Sequence, residues 1–257
     1  MLLLSALVTT AEPVSGPKPQ SVLFRNGDAV LYGCIYKPTG TGPFPAVVFN
    51  QSATRPSYEK IDWPPFLSLA QFFTAHGYAF FLPGRYAHEG LQNKSASTNK
   101  SLPKWAGETE ARNADVLAGV TWLKGQSYID ENRIVLCGHS AGAIQALLVA
   151  AKDPEIRGTI TFSVGAISWK GSTVLQELLQ TAVRENTAPV LLLQPQNDVN
   201  IEPSRVLGDL LCKKPHPNRV KIFPPFGKTP TEANLFGLNG CDVWGKDVLE
   251  FLDAVTK

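Results

Sequence analysis

Val135-Leu136-Cys137-Gly138-His139-Ser140-Ala141-Gly142-Ala143 is the stretch that decides the fold of this 257-residue chain. It carries G-x-S-x-G directly after an apolar run and directly before a helix-like one, Ile144-Gln145-Ala146-Leu147-Leu148-Val149-Ala150-Ala151. A serine nucleophile carried on a strand–turn–helix bend requires this context. The bend is sharp, so glycines must flank the serine where a Cβ would clash. It pushes the Ser140 hydroxyl out above a sheet and leaves the Ala141 N–H at a helix N-terminus, aimed at a developing oxyanion. The bare motif occurs by chance; the strand before it and the helix after it make it specific.

Working outward, apolar strand-like runs alternate with helix-like ones. Strands are expected at 21–26, 29–36, 45–50, 78–83, 133–138, 159–164, 188–194 and 219–224. Helices are expected within 64–77, at 108–124, 140–152, 173–185 and 203–214, and from about Val243 to Val255. In the second of these helices Ala111, Val116, Val120 and Leu123 fall near one face. Continuous apolar strands separated by helices predict an α/β fold, a mainly parallel central sheet covered by helices on both faces. The first strands, joined by short connections, predict an antiparallel edge. Nothing in the composition divides residues 21–257, and 1–20 read as a leader or a disordered segment.

That leader, MLLLSALVTTAEP, resembles a secretory signal without its positive n-region. It leaves open export to the periplasm or medium and retention in the cytoplasm, and it is too short to span a bilayer. A net charge of +2 supplies none of the basic field that nucleic-acid binding needs. The four cysteines, Cys34, Cys137, Cys212 and Cys241, form no C-x-x-C pair and have no metal-ligand spacing. Cys137 reads as a small buried hydrophobe. Reduced thiols are expected, with Cys212–Cys241 the pairing left open. The oligomeric state is not legible.

In a parallel α/β sheet, ligands sit beyond the carboxyl ends of the strands. Asp198, just past the 188–194 strand, lies on that side and after the serine in chain order, as the acid of a Ser–acid–His set must. Its role would be to orient a histidine and stabilise the imidazolium. A turn aspartate beside Asn197 is the plainer explanation.

From about Pro45 onward the chain resembles the α/β-hydrolase superfamily, and within it the dienelactone hydrolase-like serine hydrolases. The passages that carry the resemblance are VVFNQS, GYAFFLPGR, GHSAGAIQALLVAA, ITFSVGAISW, APVLLLQPQNDVNIEPSRVL and VKIFPPFGKTPTEANLFGLNGCDVWGKDVLEFL. The resemblance implies hydrolysis of a small-molecule ester or lactone through an acyl-enzyme on Ser140, with no organic cofactor and no metal. It also implies oxyanion donors at the Ala141 and Ala53 N–H groups.

Three passages depart from the family pattern. Where relatives carry E-G-H-x-F, this chain has Glu232-Ala233-Asn234-Leu235-Phe236, so Asn234 stands at the family's histidine position. Asn50-Gln51-Ser52-Ala53 replaces N-H-G-S, and Arg85-Tyr86-Ala87-His88-Glu89-Gly90 replaces a segment resembling R-R-G-H-G.

An amide does not accept a proton near neutral pH, so with Asn234 the serine must attack as a weakly activated hydroxyl. No histidine follows His216 in this sequence. His76 and His216 both precede strands, on the side of the sheet away from the site. His139 lies in the bend, where its side chain is expected to point away from substrate. His88 alone follows a strand and is the candidate alternative base, against the simpler reading of a loop histidine. Two further readings stand beside an impaired hydrolase. One is a non-catalytic ligand-binding protein; the other is an enzyme inactivated at 234 that traps an acyl group.

Overall fold

The computed structural model describes residues 16–52, 64–84 and 104–257. Eight strands form one sheet: β1 (Gln20–Asn26), β2 (Ala29–Tyr36), β3 (Phe44–Asn50), β4 (Ala79–Pro83), β5 (Ile129–His139), β6 (Gly158–Phe162), β7 (Val190–Pro195) and β8 (Arg219–Phe223). Their spatial order is β1-β2-β4-β3-β5-β6-β7-β8. β1 and β2 are antiparallel, as is β2 against β4; all pairings from β4 to β8 are parallel. The expected α/β architecture and its antiparallel edge are therefore present.

The strand sequences explain the two regimes. β6 and β7 are buried at every residue, as strands covered on both faces must be. β1 alternates, turning Val22 and Phe24 inward while Leu23 stays exposed.

The helices are α1 (Pro64–Ala75), α2 (Lys104–Lys124), α3 (Ala141–Ala150), α4 (Thr173–Glu185), α5 (Glu202–Leu211), α6 (Pro230–Asn234), α7 (Phe236–Asn239) and α8 (Cys241–Val255). On one face of the sheet, Leu69 and Phe73 of α1 and Trp244, Val248 and Phe251 of α8 pack on Val47, Phe80, Ile160 and Leu191. On the other face, α2 buries Val116, Val120 and Leu123 on Val48 and Leu136, while Ala111 is only partly buried. Beside it, α3, α4 and α5 close over Val190 and Leu192.

Boundaries differ from expectation where local chemistry intervenes. β6 ends at Phe162 rather than at 164, because Ser163 turns to a positive φ of 54°. Ser140 caps α3 rather than joining it. β5 starts at Ile129, ahead of the expected 133, and α2 starts at Lys104 rather than 108. α6 and α7 were not expected at all. All four cysteines are free, and burial pushes the Cys137 thiol up, as suits a packed apolar side chain.

Candidate active site

Ser140 sits where β5 breaks into α3, with φ 55° and ψ −116°. For a residue with a Cβ this is a strained conformation, held only because its surroundings over-determine it. Its N–H donates to Phe162 O at 2.9 Å, and its own carbonyl accepts from Ala143 N at 3.1 Å. The flanking glycines are sterically required. A Cβ on Gly138 would lie 2.3 Å from Gly142 O, and one on Gly142 would lie 1.9 Å from Asn50 O and 2.3 Å from Gln51 O. Such distances are far inside van der Waals contact. The same close approach ties the bend to the end of β3, where Asn50 Nδ2 donates to Cys137 O at 3.2 Å. Ala141 opens α3, so by position its N–H has no acceptor within the helix.

Asp198 follows β7 and is buried. Its Oδ1 accepts from Val199 N at 2.6 Å and from Asn234 Nδ2 at 3.0 Å; its Oδ2 accepts from Gln194 Nε2 at 2.7 Å. Three N–H donors thus hold the carboxylate. The loop is held from below as well, by a paired exchange between the Asn197 side chain and the Phe226 backbone at 3.0 and 2.9 Å.

Asn234 ends α6, which follows β8. A capping box starts that short helix: Thr229 Oγ1 accepts from Glu232 N at 3.2 Å, and Glu232 Oε2 accepts from Thr229 N at 3.3 Å. The next turn is pinned by aromatic packing. Phe236 contacts Phe162, Phe223 and Phe226, while Trp244 Nε1 donates to Phe236 O at 3.0 Å. A Cβ on Gly237 would meet Phe162 Cβ at 2.5 Å, so α7 lies directly against β6.

His139 joins the two halves. Its imidazole is almost wholly buried, and Nε2 lies 2.6 Å from the Asn234 carbonyl oxygen. A carbonyl only accepts, so Nε2 carries the proton. Burial outweighs this hydrogen bond and the nearby Asp198 charge, and it holds the imidazole below its usual pKa. The residue before Ser140 is thus bonded to the main chain of Asn234, whose side chain is bonded to Asp198.

Ser140, Asp198 and Asn234 therefore belong to one connected set at the carboxyl ends of β5, β7 and β8. Ala53 and His88 lie outside the described residues. His76 is placed elsewhere, with Nδ1 2.7 Å from Phe72 O on the exposed side of α1. Among the described residues no group of three or more His, Cys, Asp or Glu side chains could hold a metal, and no helix is long and apolar enough to cross a membrane.

Two participants had weaker signals in the sequence. Gln194 is a lone amide in the apolar run of β7, and a buried polar group needs partners. It donates to Asp198 Oδ2 and to Asn200 O at 2.9 Å, and it accepts from Ser204 Oγ at 2.6 Å. The link from His139 to Asn234 crosses 95 positions of sequence, and no local pattern encodes it.

Solved structures share this architecture. A dienelactone hydrolase from Anabaena variabilis superposes with a TM-score of 0.68 at 17% identity, covering 94% of this chain and 100% of that one. An esterase from Pyrococcus furiosus gives a TM-score of 0.66 at 18% identity, covering 94% of this chain and 92% of that one. At these identities the likeness is one of fold. The sequence itself matches the model of the Dienelactone hydrolase family over residues 31–227, a span that includes Ser140 and Asp198 and stops short of Asn234. This chain belongs to the dienelactone hydrolase family.

Proposed function

We propose that the chain carries a serine-hydrolase site for ester or lactone bonds, working through an acyl-enzyme on Ser140 and impaired as it stands by Asn234. The strained Ser140 at the mouth of α3 is the observation that carries this reading. Ser140 Oγ attacks the carbonyl carbon, and the negative charge collects on the carbonyl oxygen. The Ala141 N–H stabilises that charge, with Ala53 the second donor that the family resemblance implies. The ester alkoxide then leaves, and water later releases the acid.

The weak step is the proton. In a complete site a histidine takes it from Ser140 and passes it to the leaving group, with Asp198 orienting the ring. Asn234 presents an N–H to Asp198 just as such a ring would, at 3.0 Å, but its amide cannot carry the proton onward. Loss of one member of such a set costs about four to six orders of magnitude in turnover.

The same hydrogen bond favours a second reading. Asn234 fills the acid's acceptor position and keeps the pocket assembled without a base, which suits a protein that binds esters or acids and does not turn them over.

Hydrolysis of a small activated ester by the wild-type chain, Asn234→His and Ser140→Ala separates the two. A hydrolase site gains at least about a hundredfold on Asn234→His, the usual contribution of general-base transfer. A folded Asn234→His protein no faster than Ser140→Ala makes the binding reading the right one.

A further inference from the structure

α6 ends at Asn234, whose buried carbonyl faces the His139 ring. The Leu235 N–H returns to Glu232 O, and the Leu238 and Asn239 N–H groups both go to Leu235 O. A buried carbonyl at a helix end needs a donor. His139 supplies it, at 2.6 Å, from the residue next to Ser140.

This donor is well placed to act as a spacer. His139 is the last residue of β5, paired in register with Phe162, and it belongs to the same rigid bend as Ser140. Asn234 lies on a five-residue helix of limited intrinsic stability. Its side chain is tied to the acid loop, through Asp198. The His139 hydrogen bond references residue 234 to the elbow.

We propose that His139 is a positioning residue: through Nε2–H and the main-chain carbonyl of residue 234, it sets how closely the side chain at 234 approaches Ser140. This rests on the reading of Ser140 and residue 234 as nucleophile and base position. It adds a role for the second residue of the Gly138-His139-Ser140 turn that is independent of what side chain 234 carries. The carbonyl is there whether the residue is Asn or His.

Two backgrounds test it. In the wild-type chain, His139→Phe removes the donor and His139→Gln keeps one. Amide hydrogen exchange across 230–240 should quicken at least about tenfold in His139→Phe, with β5 to β7 unchanged and with His139→Gln close to wild type. Unchanged exchange in His139→Phe overturns the anchor, whatever the protein's activity. Should His139→Phe fail to fold, His139→Leu and His139→Gln provide the same contrast, and a Leu variant that exchanges like Gln overturns it as well.

In the Asn234→His background, adding His139→Phe should lower kcat at least about tenfold, the scale on which small misplacements of a reacting group act. KM should stay within about twofold, since ground-state binding is not what the spacer controls. Adding His139→Gln should restore most of kcat. A loss shared equally by the Gln and Phe variants, or one that appears in KM alone, contradicts positioning. If Asn234→His itself gains nothing over Ser140→Ala, the hydrolase reading fails, and the exchange measurement still decides the anchor.

Discussion

Asn234 donates to Asp198 through its side chain and accepts from His139 through its main chain, at 3.0 and 2.6 Å. Asparagine thus copies the N–H face of a neutral imidazole toward the acid while offering no group able to shuttle a proton. On the proposed reading, Asn234 holds the acid as an imidazole would and supplies no base.

If Asp198 is the orienting acid, its role shows once a base is present. In the Asn234→His background, Asp198→Asn should cost at least about a hundredfold in kcat, because the amide cannot hold the imidazole in the tautomer that accepts from serine. Steady-state kinetics on a small activated ester reads this. Equal rates with Asp and Asn at 198 would remove Asp198 from the reaction.

The elbow's glycines make a stability prediction. Gly142→Ala places a Cβ 1.9 Å from Asn50 O, a backbone atom of a buried strand end that has little freedom to retreat. Unfolding by urea should show a loss of at least about 3 kcal/mol, in the range reserved for core overpacking and backbone strain. Gly171→Ala meets nothing within 4 Å and serves as the control. Its effect should stay within about 0.5 kcal/mol. Similar midpoints for the two variants would mean the turn is looser than described.

His139 gives a pH dependence of definite sign. Burial lowers its pKa in the folded state, so the unfolded chain takes up the proton first as pH falls. Its contribution to stability is complete above the unfolded value, about 6.5. That contribution is lost progressively below it, toward the lowered folded pKa, at up to about 1.4 kcal/mol per pH unit. In denaturation curves, wild type should therefore lose stability relative to His139→Gln as pH drops from 8 toward about 5, since only the wild type carries this penalty. Curves that keep a constant separation over that range would show that His139 titrates alike in both states.

Much of this was legible in the chain. Strands β3, β4 and β7 are largely apolar runs bounded by turns, and G-x-S-x-G reads as an elbow, whose two glycines backbone contacts then require. Asp198 is read as a candidate acid from its place just past the 188–194 strand together with its order after Ser140. The segment around Asn234 is read through resemblance, which carries no expectation of its short helices. Thr229-Pro230-Thr231-Glu232 is a capping box with proline at the first helical position, and that signal was available. The strain at Ser163 had no signal, since a buried serine with φ 54° looks like any strand residue. Nor had the His139–Asn234 bond, whose partners meet only after the sheet is assembled. Local rules describe elements; the site is made by contacts between them.

The central claim is that Ser140 is an activatable nucleophile awaiting a base. The rate of covalent labelling by a fluorophosphonate probe, with the modified residue mapped by mass spectrometry, tests it without a known substrate. The account predicts slow labelling of Ser140 in the wild-type chain, none in Ser140→Ala, and labelling at least about a hundredfold faster in Asn234→His. A folded Asn234→His protein whose Ser140 labels no faster than wild type would contradict it.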